Sequence, residues 1–142
     1  MSAELYRERI LDHFQHPRHK GSLEGMDAVA RGVIPLCGDE VEVGLSANSD
    51  GMVAVRFRGR GCALCLASAS MMAEMLAGTT RDNAQRMARA FLGWMLERQE
   101  PATLASDAPE LVETFASARE AGERARCAAL PWGALQEALA RV

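Results

Sequence analysis

The stretch that decides the fold is Val41-Glu-Val-Gly-Leu-Ser-Ala-Asn-Ser-Asp-Gly-Met-Val-Ala-Val-Arg-Phe57. Apolar and polar residues alternate over residues 41–47 and again over residues 53–57, and a period of two is typical of strands with one buried face. The segment between them contains an Asp-Gly pair, which favours a tight β-turn. The sequence therefore predicts an antiparallel hairpin.

Helical patterns lie on both sides of this hairpin. Residues 5–16 place apolar side chains at helical spacing and stop before Pro17, which cannot continue a helix. After Gly61 the period changes to that of a buried helix, which we expect to end at Gly78, a typical residue just beyond a helix C-terminus. Another helix is predicted after Thr79-Thr80.

The rest of the chain is predicted to be helical. One helix starts around Asp107, the segment 99–105 is interpreted as a connection between helices, and a last helix covers residues 130–142. Pro131 fits only the first turn of that helix, which places Cys127 at or just before its N-terminus.

The order of these elements predicts the fold class. Residues 28–34 are short and partly β-branched and predict a first strand. Strands followed by helices indicate an α+β fold, with a small antiparallel three-stranded β-sheet packed against a set of α-helices. A length of 142 residues fits one domain spanning residues 1–142.

Composition excludes several classes of protein. The 16 basic and 19 acidic residues leave a net charge of -3, which gives no general attraction to nucleic acid or anionic membranes. The chain has no apolar run of the roughly 20 residues that a spanning helix needs, and its polar N-terminus lacks the apolar region of a secretion signal. We expect a cytoplasmic protein with no nucleic-acid or membrane partner.

The cysteines are the main candidates for chemistry. Four cysteines in a chain expected to be cytoplasmic favour metal binding, redox chemistry or buried thiols over disulfides. An antiparallel hairpin brings the residues before its first strand next to those after its second strand. We therefore expect Cys37, Asp39 and Cys62 to be neighbours, a ligand set that zinc or iron accepts. Cys127 is a long-range candidate for the fourth ligand, although spacing alone cannot place it there.

Two of these thiols have a second predicted property. Cys62 and Cys127 are both expected at helix N-termini near arginine side chains, where the helix dipole and the cations favour a thiolate. The alternative for each cysteine is a buried thiol that packs as a small apolar side chain.

Two further patterns remain ambiguous. Cys62 and Cys65 form a CxxC pair on one helix face, either a redox dithiol or a ligand beside a buried spectator thiol. Three histidines recur at a spacing of three, but Pro17 breaks any helix that would align them. We therefore interpret His13, His16 and His19 as a solvated helix end rather than a metal site.

Several segments together carry a family resemblance. They are Leu5-Tyr-Arg-Glu-Arg-Ile-Leu-Asp-His13, Pro17-Arg-His-Lys-Gly21, Pro35-Leu-Cys-Gly-Asp39, Arg58-Gly-Arg-Gly-Cys62, Ala67-Ser-Ala-Ser-Met-Met72 and Cys127-Ala-Ala-Leu-Pro-Trp132. The sequence resembles the U-type iron-sulfur cluster assembly proteins, the family of IscU, SufU and the N-terminal part of NifU. This resemblance implies a SufE/NifU-like fold and assigns Cys37, Asp39, Cys62 and Cys127 to one metal or cluster site.

Departures from the IscU type favour the SufU type within this family. Arg126 stands where IscU-type members have histidine, the Leu-Pro-Pro-Val-Lys segment is absent, and an extra helical segment covers residues 109–120. Members similar to SufU are zinc-dependent sulfur acceptors. The resemblance therefore implies a resting Zn²⁺ and Cys37 as acceptor of sulfur. Cys65 and Arg126, which depart from the family pattern beside the site, are candidate auxiliary residues.

The same resemblance implies the partners. These are a PLP-dependent cysteine desulfurase similar to SufS and downstream iron-sulfur assembly or apo-acceptor proteins, with no independent turnover expected. Two alternatives stay open. The chain could be a scaffold that binds iron and assembles a [2Fe-2S] cluster on the same four residues, or a dithiol redox protein that uses Cys62 and Cys65.

Overall fold

The computed structural model describes the backbone from residue 3 to residue 142 and the side chains from residue 6 onward. The elements follow one another as α1 (Ala3–Gln15), β1 (Ala28–Ile34), β2 (Asp39–Ala47), β3 (Val53–Arg60), α2 (Ala63–Leu76), α3 (Arg81–Leu96), α4 (Ala102–Asp107), α5 (Pro109–Arg119) and α6 (Gly122–Leu139). The predicted α+β class and the order of strands before helices are confirmed.

The three strands form one antiparallel sheet in the order β1-β2-β3. At the tip of the predicted hairpin, the Asn48 side chain accepts hydrogen bonds from the backbone N–H groups of Asp50 and Met52, each at 3.0 Å. Both hairpin strands are longer than predicted, because pairing continues to Glu40 opposite Arg60. A glycine permits this extension, since a Cβ at Gly59 would collide with the Glu40 carbonyl.

Helices α2 and α6 pack beneath the sheet and against each other. Ser68 of α2 joins them, since its hydroxyl donates to the Ala128 carbonyl at 2.6 Å and accepts from Trp132 Nε1 at 3.2 Å. The Trp132 ring stacks on Phe91 of α3, with ring centroids 4.7 Å apart. These buried contacts fix the position of α6 under the sheet.

The start of the last helix was predicted incorrectly. Helix α6 begins at Gly122 rather than at residue 130, and Pro131 lies inside it. A proline inside a helix has no N–H for the carbonyl four residues earlier, here that of Cys127, and costs roughly 3 kcal/mol. Burial of Trp132 and Leu135 on the same helix offsets that cost. The helix therefore continues through a residue that normally marks a helix start.

Two smaller expectations are also wrong. The segment 99–105 is not only a connection, because α4 (Ala102–Asp107) forms there around the buried Leu104. His13 is not solvated. It is 6% exposed, and its Nδ1 lies 2.8 Å from the Ser70 hydroxyl of α2. Burial lowers the pKa of His13 below its ordinary value. His16 and His19 are exposed, as expected.

Among the residues described, no helix has the length and apolar character needed to cross a membrane.

Candidate metal centre

Asp39 is the first residue of β2 and the most firmly held member of the predicted site. Its side chain is buried, and the residue is 1% exposed. Oδ1 accepts a hydrogen bond from the Cys62 backbone N–H at 3.0 Å, and Oδ2 lies 3.5 Å from Cys62 Sγ. The extended pairing of β2 with β3 brings these two residues together, as the hairpin argument predicted.

Cys62 occupies the N-cap of α2, which confirms its predicted position at a helix start. Its Sγ accepts from the Cys65 backbone N–H at 3.4 Å, so the sulfur takes the place of the oxygen of a usual capping side chain. The residue is exposed. A thiolate here faces the positive end of the helix dipole and remains open to solvent.

Cys127 projects from the interior of α6 toward the other two residues. One ligand atom from each of Asp39, Cys62 and Cys127 lies within 4.8 Å of the others. The expectation that Cys127 sits at a helix start, with its thiolate favoured there, is wrong. Burial raises the pKa of the Cys127 thiol, and the adjacent Asp39 and Cys62 act in the same direction. A bound cation would reverse this, because metal ligation deprotonates a thiol.

Cys37 lies apart from this three-residue cluster. It sits in the four-residue turn between β1 and β2, where its N–H donates to the Ile34 carbonyl at 3.2 Å. The residue is exposed, and its neighbour Leu36 is 97% exposed. The structure thus brings Asp39 and Cys62 together, as expected. The expectation that Cys37 joins them is not met, because strand pairing begins only at Asp39 and Cys37 lies before it, on the exposed turn.

The two auxiliary residues have contrasting environments. Cys65 is fully buried in α2, and burial raises the pKa of its thiol, which does not favour a role as a reactive dithiol with Cys62. Arg126 is exposed on α6. Its side chain lines the same cavity of about 260 Å³ as Cys37. Arg126 therefore shares a surface with the exposed thiol, and Cys65 does not.

Gly61 is a contributor that the sequence analysis missed. A Cβ at this position would lie 2.7 Å from Asp39 Oδ1 and 3.0 Å from Asp39 Cγ. Only glycine leaves room for the carboxylate where it now stands. The available signal is the glycine immediately before Cys62, in the segment Arg58-Gly-Arg-Gly-Cys62, whose contact with Asp39 local pattern does not reveal.

The donor set fits a zinc ion. Zinc accepts sulfur and carboxylate ligands in a tetrahedral arrangement, and Zn–S bonds of about 2.3 Å place the ligand atoms of one ion within about 4 Å of each other. The two thiols and the carboxylate of the cluster have this chemistry and a compatible mutual distance. Ferrous iron accepts similar donors, so the ligand types alone suit both metals.

The chain is similar to known proteins in sequence and in structure. Residues 5–108 match the family described as the NifU-like N terminal domain. The chain belongs to this family. It is 31% identical to the iron-sulfur cluster assembly scaffold protein IscU of Streptococcus pyogenes, over 96% of this chain and 84% of that protein. It is also 31% identical to the zinc-dependent sulfurtransferase SufU of Bacillus subtilis, over 96% of this chain and 90% of that protein.

The fold of this NifU-like chain is also similar to that of a solved structure. The crystal structure of a SUF-system iron-sulfur cluster assembly scaffold protein from Fervidobacterium islandicum superposes with a TM-score of 0.82 at 27% sequence identity. The alignment covers 98% of this chain and 99% of that one. The small sheet and its helices are therefore an arrangement shared over the whole length.

Proposed function

We propose that this protein acts in iron-sulfur cluster assembly as a zinc-dependent acceptor of sulfur from a cysteine desulfurase. The observation that carries the proposal is the contrast within the site. Three metal-ligating side chains, Asp39, Cys62 and Cys127, converge within 4.8 Å, while the thiol of Cys37 stands exposed on the adjoining turn. Membership of a family whose relatives include both named scaffolds and a named zinc-dependent sulfurtransferase supports the assignment.

The proposed ligands of Zn²⁺ are Cys37, Asp39, Cys62 and Cys127. A zinc ion held by these residues would have no redox chemistry and would keep the ligating thiols deprotonated and masked. The Cys62 N–H holds Asp39 in orientation, and burial of Cys127 excludes water from one side of the site. Cys37 is the ligand that the fold holds least firmly, because it sits in a turn rather than in a strand or helix.

The proposed chemical step is a transfer of sulfane sulfur to Cys37. The Cys37 thiolate attacks the terminal sulfur of a cysteine persulfide on the desulfurase. A sulfur-sulfur bond forms at Cys37, the sulfur-sulfur bond of the donor breaks, and its electron pair leaves with the donor's cysteine thiolate. No external oxidant or reductant is needed. The exposed position of Cys37 gives a partner direct access to this thiol.

The partners follow from this step. The donor is a PLP-dependent cysteine desulfurase of the SufS kind, and the recipients are downstream assembly or apo-acceptor proteins. A second candidate function uses the same residues, with a [2Fe-2S] cluster assembled as cargo and passed on. The exposure of Cys37 and Cys62 favours this alternative, because it leaves one side of the site open for a cluster to be transferred to an acceptor.

The test combines metal analysis with a transfer assay. The chain is purified without added metal, and zinc, iron and labile sulfide are measured. It is then incubated with a purified PLP-dependent cysteine desulfurase and cysteine, and sulfur on the chain is followed by mass spectrometry. We expect close to one zinc per chain and a gain of one sulfur atom.

Matched cysteine variants identify the acceptor. Cys65→Ala should accept sulfur and stimulate the desulfurase as the wild type does, and Cys37→Ala should do neither. Full stimulation by Cys37→Ala would contradict the assignment. Iron with labile sulfide in the purified protein would make the scaffold function primary. Absence of metal, combined with loss of activity in Cys65→Ala, would favour the dithiol instead.

A further inference from the structure

A groove runs along α6 between the outer edge of the sheet and α3. Its cavity has a volume of about 440 Å³. Strand β1 forms one wall, and Leu92 and Leu96 of α3 form the other. The floor is α6, where Leu130 lies against Gly32 of β1 and the small residues Ala129 and Gly133 leave space. A Cβ at Gly133 would meet no atom within 4 Å, so the floor is open above this residue.

The two edges of the sheet differ in how they are covered. On the β3 edge, Phe57 exchanges backbone hydrogen bonds with residues 19 and 21, and Val53 does so with residues 78 and 79. Because alternate residues of a strand direct their backbone groups to opposite sides, the register places Val29, Arg31 and Val33 on the free side of β1.

The free side of β1 is largely uncovered. The Val29 carbonyl accepts a hydrogen bond from the Arg141 guanidinium. Within residues 3–142, no backbone or side-chain hydrogen bond reaches the outward backbone groups of Arg31 and Val33. An unpaired edge of this kind is a template for an added strand. The backbone groups of this wall therefore favour an extended occupant over a helical one.

Charges mark the two ends of the groove. Arg126 lies at the end beside the Cys37 cavity, and Glu137 lies at the other end of the same helix. Neither side chain has an ion-pair partner in the described part of the chain. They lie eleven positions apart on one helix, a distance of about 16 Å at 1.5 Å per residue. A strand of about five residues has this length.

We propose that this groove binds an extended segment of a partner protein, about five residues long, as a fourth strand beside β1. The central side chain of the segment is apolar, enters the space above Gly133 and contacts Leu92 and Leu96. In a strand of five residues this side chain lies on the same face as those of the two end residues. The segment carries an acidic residue at the Arg126 end and a basic residue at the Glu137 end. This proposal does not depend on the metal or on the direction of sulfur transfer.

The probes are two blocked pentapeptides, Asp-Thr-Val-Thr-Lys and Lys-Thr-Val-Thr-Asp, in which the central Val and the two charged ends share one face. Together they present the required charges in both possible strand directions. Each is titrated to millimolar concentration into the full-length ¹⁵N-labelled chain and followed by NMR. We expect one of them to shift the amide signals of Arg31 and Val33 and to slow their exchange with solvent.

Two variants distinguish strand addition from nonspecific peptide binding. Gly133→Leu fills the groove from its floor without a clash at Cβ and should weaken peptide binding at least tenfold. Val33→Pro removes an outward N–H, a position that tolerates proline at a strand edge, and should also weaken binding. Gly21→Leu adds the same side chain at another open glycine, outside the groove, and should leave binding unchanged.

Three results would overturn the proposal. The first is that neither peptide shifts the Arg31 and Val33 amides. The second is that Gly133→Leu binds the peptide as the wild type does. The third is that the wild type sediments as a dimer that Gly133→Leu dissociates, which would assign the groove to a second copy of this chain.

Discussion

Asp39 and Cys37 are two residues apart in the chain, yet they belong to regions of opposite character. Asp39 is 1% exposed, paired in the sheet, and held by the backbone N–H of Cys62. Cys37 is exposed on a turn whose other apolar residue, Leu36, points into solvent. One candidate ligand is buried in the sheet, and the other lies on an exposed turn at the edge of the fold.

In the proposed metal site, this difference separates two tasks, the retention of the metal and the reaction with a partner. Buried side chains such as those of Asp39 and Cys127 suit the retention of a metal, since their positions are fixed once the core is formed. An exposed thiol suits attack on a partner's persulfide, because it can leave the site without disturbing the core. The following variants test this contrast between a buried and an exposed part of the site.

The largest effect is expected for Cys127→Ser. Loss of this proposed buried ligand should lower zinc affinity by more than about 100-fold. Even the loss of a group that only hydrogen-bonds to a metal ligand lowers metal affinity by about 10- to 100-fold. Competition with a chromophoric chelator measures the affinity. Cys65→Ala is the matched control in the neighbouring helix and should keep the affinity of the wild type. Equal losses in the two variants would mean that both reflect damage to the core.

Ser68→Ala should have the next largest effect, and on stability rather than on chemistry. The substitution leaves the buried Trp132 Nε1 without its acceptor and removes a donor from the Ala128 carbonyl. The free energy of unfolding should fall by about 2 kcal/mol, the cost of unsatisfied buried groups. Urea denaturation measures it, with the exposed helical Ser117→Ala as control. A stability equal to that of the control would show that this link between α2 and α6 is not important.

Gly61→Ala should weaken the firmly held side of the site without removing a ligand. Its Cβ would lie 2.7 Å from Asp39 Oδ1, so the carboxylate must move. We expect zinc affinity to fall about tenfold, in the range for loss of a supporting contact. Gly21→Ala, where a Cβ meets nothing within 4 Å, is the control for the same chelator competition. Unchanged affinity would mean that Asp39 tolerates displacement.

The smallest effect is expected on the exposed turn. Leu36→Ser removes a side chain that is 97% exposed and should change the free energy of unfolding by no more than about 0.5 kcal/mol. The measurement is the same urea denaturation. A loss of about 2 kcal/mol, as large as that expected for Ser68→Ala, would contradict the description of this turn as exposed and unpacked.

Much of this architecture was accessible from local pattern. Alternation and the Asp-Gly pair predicted the hairpin, and the hairpin alone predicted that Asp39 and Cys62 meet. Helical spacing also located α2 and α3. These inferences succeeded because they depend on neighbours in sequence and on the geometry of one antiparallel pair.

The errors share a different cause. Local propensity predicts a helix start at Pro131 and a solvated His13, because it contains no information about contacts between distant parts of the chain. Packing of Trp132 and Leu135 carries α6 through its proline, and Ser70 of α2 provides the partner that buries His13. In both cases tertiary contacts outweighed a local preference.

The sequence by itself determined the sheet, most of the helices and two neighbouring members of the site, since period and turn chemistry act over a few residues. Only the tertiary structure decided that Cys127 meets Asp39 and Cys62, that Cys37 stays outside their cluster, and that the β1 edge remains open. Each of these depends on how α6 docks beneath the sheet. That docking is set by buried area and hydrogen bonds between residues more than fifty positions apart, which no local pattern records.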